Sequence, residues 1–235
     1  MKPPPTANEL NALRAFDTPT ICNALEVLIP ESRAGGFTTR PAVCGFPALK
    51  PIVGYARTAC IRAKFAPTLP AAEVRELRHA YYRYIDTGPK PSLVLIQDLD
   101  GADAGYGAFW GEVQSAIHRG LGALGVITNG SVRDIDQWAP GFQLLAGSIG
   151  PSHAYANVVG FGGEIEVLGM RVRSGDIVHA DRHGAVVVPA DTIRDLPAAA
   201  EKVARREAAI LAVARAIDST AEKLIAVFKE QDAIH

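Results

Sequence analysis

Gly125-Val-Ile-Thr-Asn-Gly-Ser-Val-Arg-Asp134 decides the fold. Within it Val126 to Asn129 read as a buried strand, Gly130 as a turn that stops it, and Arg133 with Asp134 as an anion binder and a metal-grade carboxylate set side by side at the strand's end. In open α/β sheets ligands collect outside the carboxyl ends of the strands, so a charged pair placed there is a functional lead. Working outward, residues 120–125 form a Gly-rich turn, 111–119 a helix, 101–107 a loop with three glycines and 93–97 a strand. The order strand, loop, helix, strand predicts a crossover between parallel strands. The loop before the helix and the turn after Asn129 then share one edge of the sheet, which brings Glu112 in the helix's first turn toward Arg133 and Asp134.

The rest of the chain supports an α/β reading. Asp17-Thr18-Pro19 predicts a helix cap with a first-turn proline, and Ile21, Ala24, Leu25 and Leu28 recur at helical spacing. Residues 30–51, rich in Pro and Gly, lead to a strand over 53–61. A helix over 71–86 carries Val74, Leu77, Tyr81 and Ile85 on one side and ends at Thr87-Gly88-Pro89. Short strands are predicted at 142–145 and 165–168, a turn-rich connector at 169–175, and a hairpin of 176–180 with 185–188 around Asp181-Arg-His-Gly184. From Asp191 to about Lys229 the chain is helical, broken near Asp218-Ser-Thr220, and its length suggests packing on a neighbouring subunit. We expect a single domain over 1–235, with its core at about 10–210 and the helical extension at about 191–230.

Composition narrows the function classes. With 235 residues, 48% hydrophobic, the chain can bury one sizeable core. Lys plus Arg (24) nearly cancels Asp plus Glu (25), and no basic run stands out, so nucleic acid is not an expected partner. No apolar stretch reaches spanning length and the start lacks a secretory core, which predicts a cytoplasmic protein without a membrane role. Cys22, Cys44 and Cys60 lack metal-type spacing and read as small apolar residues in a reducing compartment.

Two motifs invite over-reading. Gly120-Leu-Gly-Ala-Leu-Gly125 matches the dinucleotide-binding pattern, but it follows a helix and precedes a strand, the reverse of the order that aims amides at a pyrophosphate; it reads as a helix cap and turn. His179-x-Asp181-x-His183 resembles a metal cluster, yet His183 belongs in the hairpin turn, away from the face shared by the other two. His118 and His153 have still less context. With no Gly-x-Ser-x-Gly elbow and no Cys in a nucleophile motif, acyl transfer has no support.

The constellation Glu112, Arg133 and Asp134 has a chemical logic. Mg²⁺ is held by one or two carboxylates and keeps several waters, leaving positions for substrate oxygens. Asp134 can bind it directly and Glu112 through water. Amides at the start of the 111–119 helix can receive a substrate carboxylate, with a charge-assisted hydrogen bond from Arg133. Such a site suits a 2-oxo acid.

Glu112, twenty intervening residues, then Arg133-Asp134 resembles the acidic-x20-Arg-Asp signature of the class II pyruvate aldolases of the 4-hydroxy-4-methyl-2-oxoglutarate/4-carboxy-4-hydroxy-2-oxoadipate type, grouped with the regulator of ribonuclease activity A. The stretches 17–25, 54–58, 110–112, 125–136, 174–176 and 180–189 also fall in the family's order. The resemblance implies a swivelling β/β/α domain, with a mixed central sheet flanked by helices and a long C-terminal helical segment, and homotrimers or hexamers with sites between subunits. It implies that Asp134 coordinates Mg²⁺ or Mn²⁺, that Glu112 holds a water on it, that Arg133 contacts the pyruvyl group, and that the backbone of Gly111, Glu112, Val113 and Gln114 binds its carboxylate. A neighbour's carboxylate is also implied, with Glu201, Glu207 and Glu222 as candidates. Two positions depart from the pattern: Glu112 stands where the best-characterised aldolases have Asp, and Asn129 where Asp or Glu precedes the family's Gly.

The expected activity is cleavage of a 4-hydroxy-2-oxo diacid to pyruvate, with oxaloacetate decarboxylation as a side activity. Two alternatives stand beside it: from another class, a non-catalytic regulator that binds a ribonuclease or helicase; from the same class, a lyase on another hydroxy-oxo acid.

Overall fold

The structure, a computed structural model, describes residues 3–232. Its elements follow from local signals. Helix α1 (Ala7–Ala12) opens on a Thr6/Glu9 capping box. Helix α2 (Thr18–Leu28) opens on Asp17, whose carboxylate accepts from Thr20 N–H, and buries Ile21, Ala24 and Leu25. Strands β1 (Val43–Cys44) and β2 (Ile52–Arg62) precede α3 (Ala71–Asp86). Then come β3 (Ser92–Asp98), β4 (Ala108–Trp110), α4 (Glu112–Gly120), β5 (Ala123–Val132) and β6 (Gln143–Ile149). Strands β7 (Asn157–Phe161), β8 (Ile165–Val167), β9 (Met170–Val172), β10 (Ile177–Asp181) and β11 (Gly184–Val188) lead to α5 (Leu196–Ala214) and α6 (Ala221–Asp232).

The main sheet runs β1-β6-β5-β3-β2-β10-β11, with β4 added to β5 and β7 to β2. Its centre is parallel: β2 with β3, β3 with β5, β5 with β6. Its flanks are antiparallel, with β1 on β6, β7 and β10 on β2, and β11 on β10. The fold class is therefore α/β with a mixed central sheet, as expected. The central strands read as continuous apolar runs because both faces are covered. One face packs Tyr81 and Ile85 of α3 with Trp110, Trp138 and Phe142. The other packs Leu93, Leu95 and Ile127 against the β8–β9 hairpin. At the β10–β11 end of the sheet, Leu10, Ile21, Leu25, Leu196 and Ala200 unite α1, α2 and α5.

Three expectations need correction. Strand β5 does not stop at Gly130 but runs on to Val132, and it begins at Ala123, so Gly125 is a strand residue. The Asn-Gly pair forms a bulge: β5 advances from Thr128 to Ser131 while β6 advances only from Ala146 to Ser148. There β5 also exchanges neighbours, pairing with β3 up to Thr128 and with β4 from Ser131. The 169–175 connector contains β9, paired with β8. Strands β1, β4 and β7 were not predicted; all are short, and their partners lie far away in the chain. The Gly120–Gly125 stretch is the predicted cap and turn at its start, with Leu121 N–H on Ile117 O and Gly122 at φ 83°.

Candidate active site

The bulge carries β5 past the end of β3 and alongside β4, so the residues after β4 and those after β5 meet. Arg133 N–H donates to Trp110 O at 2.9 Å, which fixes the two segments against each other. Asp134 then adopts the left-handed conformation, φ 53° and ψ 41°, a region Asp tolerates better than most residues and one concentrated at functional sites. This turns its carboxylate back onto the start of α4, where Oδ2 lies 3.4 Å from Glu112 N. The Arg133 guanidinium stands on the same oxygen, Nε to Oδ2 3.6 Å. Gly111 makes the approach possible, since a β-carbon there would sit 2.5 Å from Asp134 Oδ2.

Helix α4 begins at Gly111 with no side-chain cap. The N–H groups of Glu112, Val113 and Gln114 have no partner inside the helix, and the helix dipole adds positive potential at the same place. The helix is held firmly behind that end. His118 is fully buried, its Nδ1 2.7 Å from Gln114 O and its Nε2 2.7 Å from the Tyr81 hydroxyl. Burial depresses its pKa to about 4, so the ring is neutral and serves as an anchor.

A cleft of about 430 Å³ opens over these groups. Gly111, Val113, Gln114, Arg133 and Asp134 form one wall. Val74 and Arg78 of α3 and His153 and Asn157, before and in β7, form much of the remainder. Glu112 stands at the first position of α4 with its side chain exposed, outside the cleft lining; its N–H is the part that meets Asp134. Among the described residues no cluster of three His, Cys, Asp or Glu groups could hold a metal. Asp134 Oδ1 has no hydrogen-bond partner among them. One uncommitted carboxylate oxygen with a second carboxylate on the adjoining turn fits a hard cation that keeps most of its water, and does not fit zinc, which takes at least three protein ligands from His, Cys, Asp or Glu.

The other sequence candidates are structural. His179 is buried, with Nδ1 3.0 Å from Thr18 Oγ1 and Nε2 near the carbonyls of Leu13 and Phe16. Asp181 accepts from Thr18 N–H at 2.9 Å and from His183 N–H at 2.8 Å, so it pins the start of α2 and the hairpin turn. Burial acts to raise the Asp181 pKa, but these hydrogen bonds outweigh it and the carboxylate is held below its ordinary range. The three cysteines are free, and burial pushes the Cys22 thiol up to about 11, which suits no nucleophile. Asn129 spans the gap the bulge leaves: its Oδ1 accepts from Asp98 N–H at 2.7 Å and its Nδ2 donates to Asp98 O at 3.0 Å.

Sequence reasoning missed the far wall. Arg78 and Val74 lie on a helix whose periodicity is satisfied by core contacts, and His153 precedes an unpredicted strand. The signal available was the four-residue spacing of Val74 and Arg78, which puts an Arg beside the apolar stripe.

A family model described as RraA-like, Aldolase/RraA, matches residues 18–187. Protein DlpA of Legionella pneumophila is 24% identical over 136 residues, covering 54% of this chain and 21% of that protein. The chain thus spans about a fifth of that relative's length. Among solved structures, an uncharacterized protein from Pseudomonas syringae superposes with a TM-score of 0.68 at 20% identity, covering 95% of this chain and 99% of that one. Streptomyces coelicolor RraAS2, described as an unusual member of the RNase ES inhibitor RraA protein family, superposes with a TM-score of 0.66 at 17% identity, covering 88% of this chain and 97% of that one. At such identities the likeness is one of fold.

Proposed function

This chain belongs to the RraA-like (Aldolase/RraA) family, and from that premise we propose that it is a divalent-metal-dependent lyase of the class II pyruvate aldolase type. Its substrate would be a 4-hydroxy-2-oxo diacid such as 4-hydroxy-4-methyl-2-oxoglutarate. The observation that carries the reading is the meeting of Arg133, Asp134 and the uncapped start of α4 in one cleft. Asp134 would hold Mg²⁺ or Mn²⁺ directly, with Glu112 reaching it through water, and the bound ion supplies a Lewis acid for the 2-oxo oxygen.

The chain's own groups account for orientation and charge. The N–H groups of Val113 and Gln114 would receive the pyruvyl carboxylate, with Gly111 leaving room for the backbone to approach. In the cleavage the 4-hydroxyl would pass its proton to a solvent water and its oxygen would become the carbonyl of the released oxo acid. The C3–C4 electron pair moves into the pyruvyl half, charge develops on the C2 oxygen, and C3 then takes a proton from water. The Arg133 guanidinium is placed to stabilise that charge. Loss of CO₂ from oxaloacetate leaves the same enolate, so decarboxylation is expected as a side activity.

The working form in this reading is a homotrimer or hexamer, with exposed Val113 and Tyr155 in the cleft lining offering apolar surface for a neighbour. The test is pyruvate release from 4-hydroxy-4-methyl-2-oxoglutarate and from oxaloacetate with Mg²⁺ or Mn²⁺. We expect turnover that chelation abolishes and that Asp134→Ala lowers at least about 100-fold. No turnover of any 2-oxo diacid, or full activity in Asp134→Ala, would overturn the proposal; retained binding of a ribonuclease or helicase by that variant would then favour a regulator.

A further inference from the structure

The cleft holds a second guanidinium that the reaction above leaves unused. Arg78 lines it from α3, and among the described residues Arg78 makes no hydrogen bond or ion pair. The helix that carries it is held in place. Val74, Arg78 and Tyr82 are spaced four apart and share one helix face, and the Tyr82 hydroxyl donates to Gln114 Oε1 at 3.2 Å. The Arg78 face of α3 is thereby held against the first turn of α4. The cleft lining combines apolar Val74, Ala108, Phe109 and Val158 with polar Gln114, His153 and Asn157, and its one acidic residue is Asp134.

We infer that Arg78 forms a second anion subsite, which receives the distal carboxylate of the substrate and makes the cleft selective for 2-oxo diacids over 2-oxo monoacids. The inference rests on the aldolase reading of the Arg133 end. An arginine fork matches a carboxylate geometrically, and among the described residues no carboxylate pairs with this one. A cleft that carries two cations together with apolar side chains suits a short carbon chain with an acid at each end.

The experiment is calorimetric titration of the protein in Mg²⁺ with 2-oxoglutarate and with 2-oxopentanoate, which share a carbon count and differ in the second carboxylate. The wild type should prefer the diacid by about tenfold, the size of one exposed charge-assisted contact. Arg78→Met should abolish the preference while leaving monoacid affinity and melting temperature unchanged, and Arg78→Lys should keep part of it. Equal binding of the two acids by the wild type, or an unchanged preference in Arg78→Met, overturns the subsite while the aldolase reading stands, because the monoacid still binds. If neither acid binds, both readings fall.

Discussion

Gly111 and Asp134 are built against each other: a β-carbon on residue 111 would lie 2.5 Å from Asp134 Oδ2 and 3.1 Å from Arg133 Cγ. Gly111 has φ −168°, extended backbone that any residue adopts, so the constraint is space alone. The obstructing atom is the tip of a side chain, which can swing away at small cost. We therefore expect Gly111→Ala to melt within a few degrees of the wild type, a cost below about 1 kcal/mol. The same swing displaces the carboxylate assigned to the cation, so metal-dependent turnover should fall about 10- to 100-fold, with a weaker Mg²⁺ midpoint. Thermal melts and a Mg²⁺ titration of activity check both halves; a large loss of stability with unchanged Mg²⁺ dependence would contradict this account.

Gly147 behaves differently because its obstruction is backbone. A β-carbon there would overlap the carbonyl oxygen of Asn129, on the bulge that redirects β5. Neither group can rotate aside without shifting a strand. Gly147→Ala should cost about 1–3 kcal/mol, read as a lower midpoint in a denaturant titration. Activity per folded molecule should also fall, since the bulge sets where Arg133 and Asp134 emerge.

The bulge also shows what was legible beforehand. The sequence puts a turn at Gly130, where a glycine ends the apolar run, and the irregularity is real. Its form was not readable, because it depends on β4 taking over from β3, and β4 is a three-residue strand with no local signature. By contrast the Asp17 cap, the 71–86 helix and the hairpin around 181–184 declare themselves in local residues, and the structure has all three. The meeting of Glu112's turn with Arg133 and Asp134 was legible from element order alone. Arg78 was not, since its role depends on how α3 lies across the start of α4, a tertiary fact.

Asn129 is a structural clamp whose amide uses both of its ends on the Asp98 backbone. Asn129→Asp restores the family's acidic residue but loses the Nδ2 donor and sets a carboxylate oxygen toward Asp98 O. We expect a loss of about 1–3 kcal/mol at pH 7. Burial already raises the Asp98 pKa, and the new carboxylate beside it should titrate high as well. A carboxylate whose pKa is raised by folding destabilises the native state above its unfolded pKa and is relieved by protonation. The melting gap between variant and wild type should therefore narrow as pH falls from 7 toward 4. A gap that stays constant with pH would show that the lost donor, not the added charge, carries the effect.

His118 predicts a pH dependence for the whole fold. Its pKa of about 4 lies below the ordinary histidine value because the ring is buried against Trp110, centroids 4.5 Å apart, and behind Tyr81. The neutral ring is what the network requires: with Nδ1–H donating to Gln114 O, Nε2 accepts from the Tyr81 hydroxyl. A group whose folded pKa is depressed contributes fully above its unfolded pKa, about 6.5, and its contribution disappears as pH falls toward the folded value. Wild-type stability should decline between about pH 6.5 and pH 4, by at most about 3 kcal/mol from this group. His118→Phe should start lower, because Tyr81 loses its acceptor, yet decline less steeply over the same interval. Denaturant titrations of both proteins at pH 7, 5.5 and 4 check this, and parallel slopes would remove His118 as the cause. Because His118 anchors the helix whose first amides face the cleft, binding of 2-oxo acids should weaken over the same pH range in the wild type.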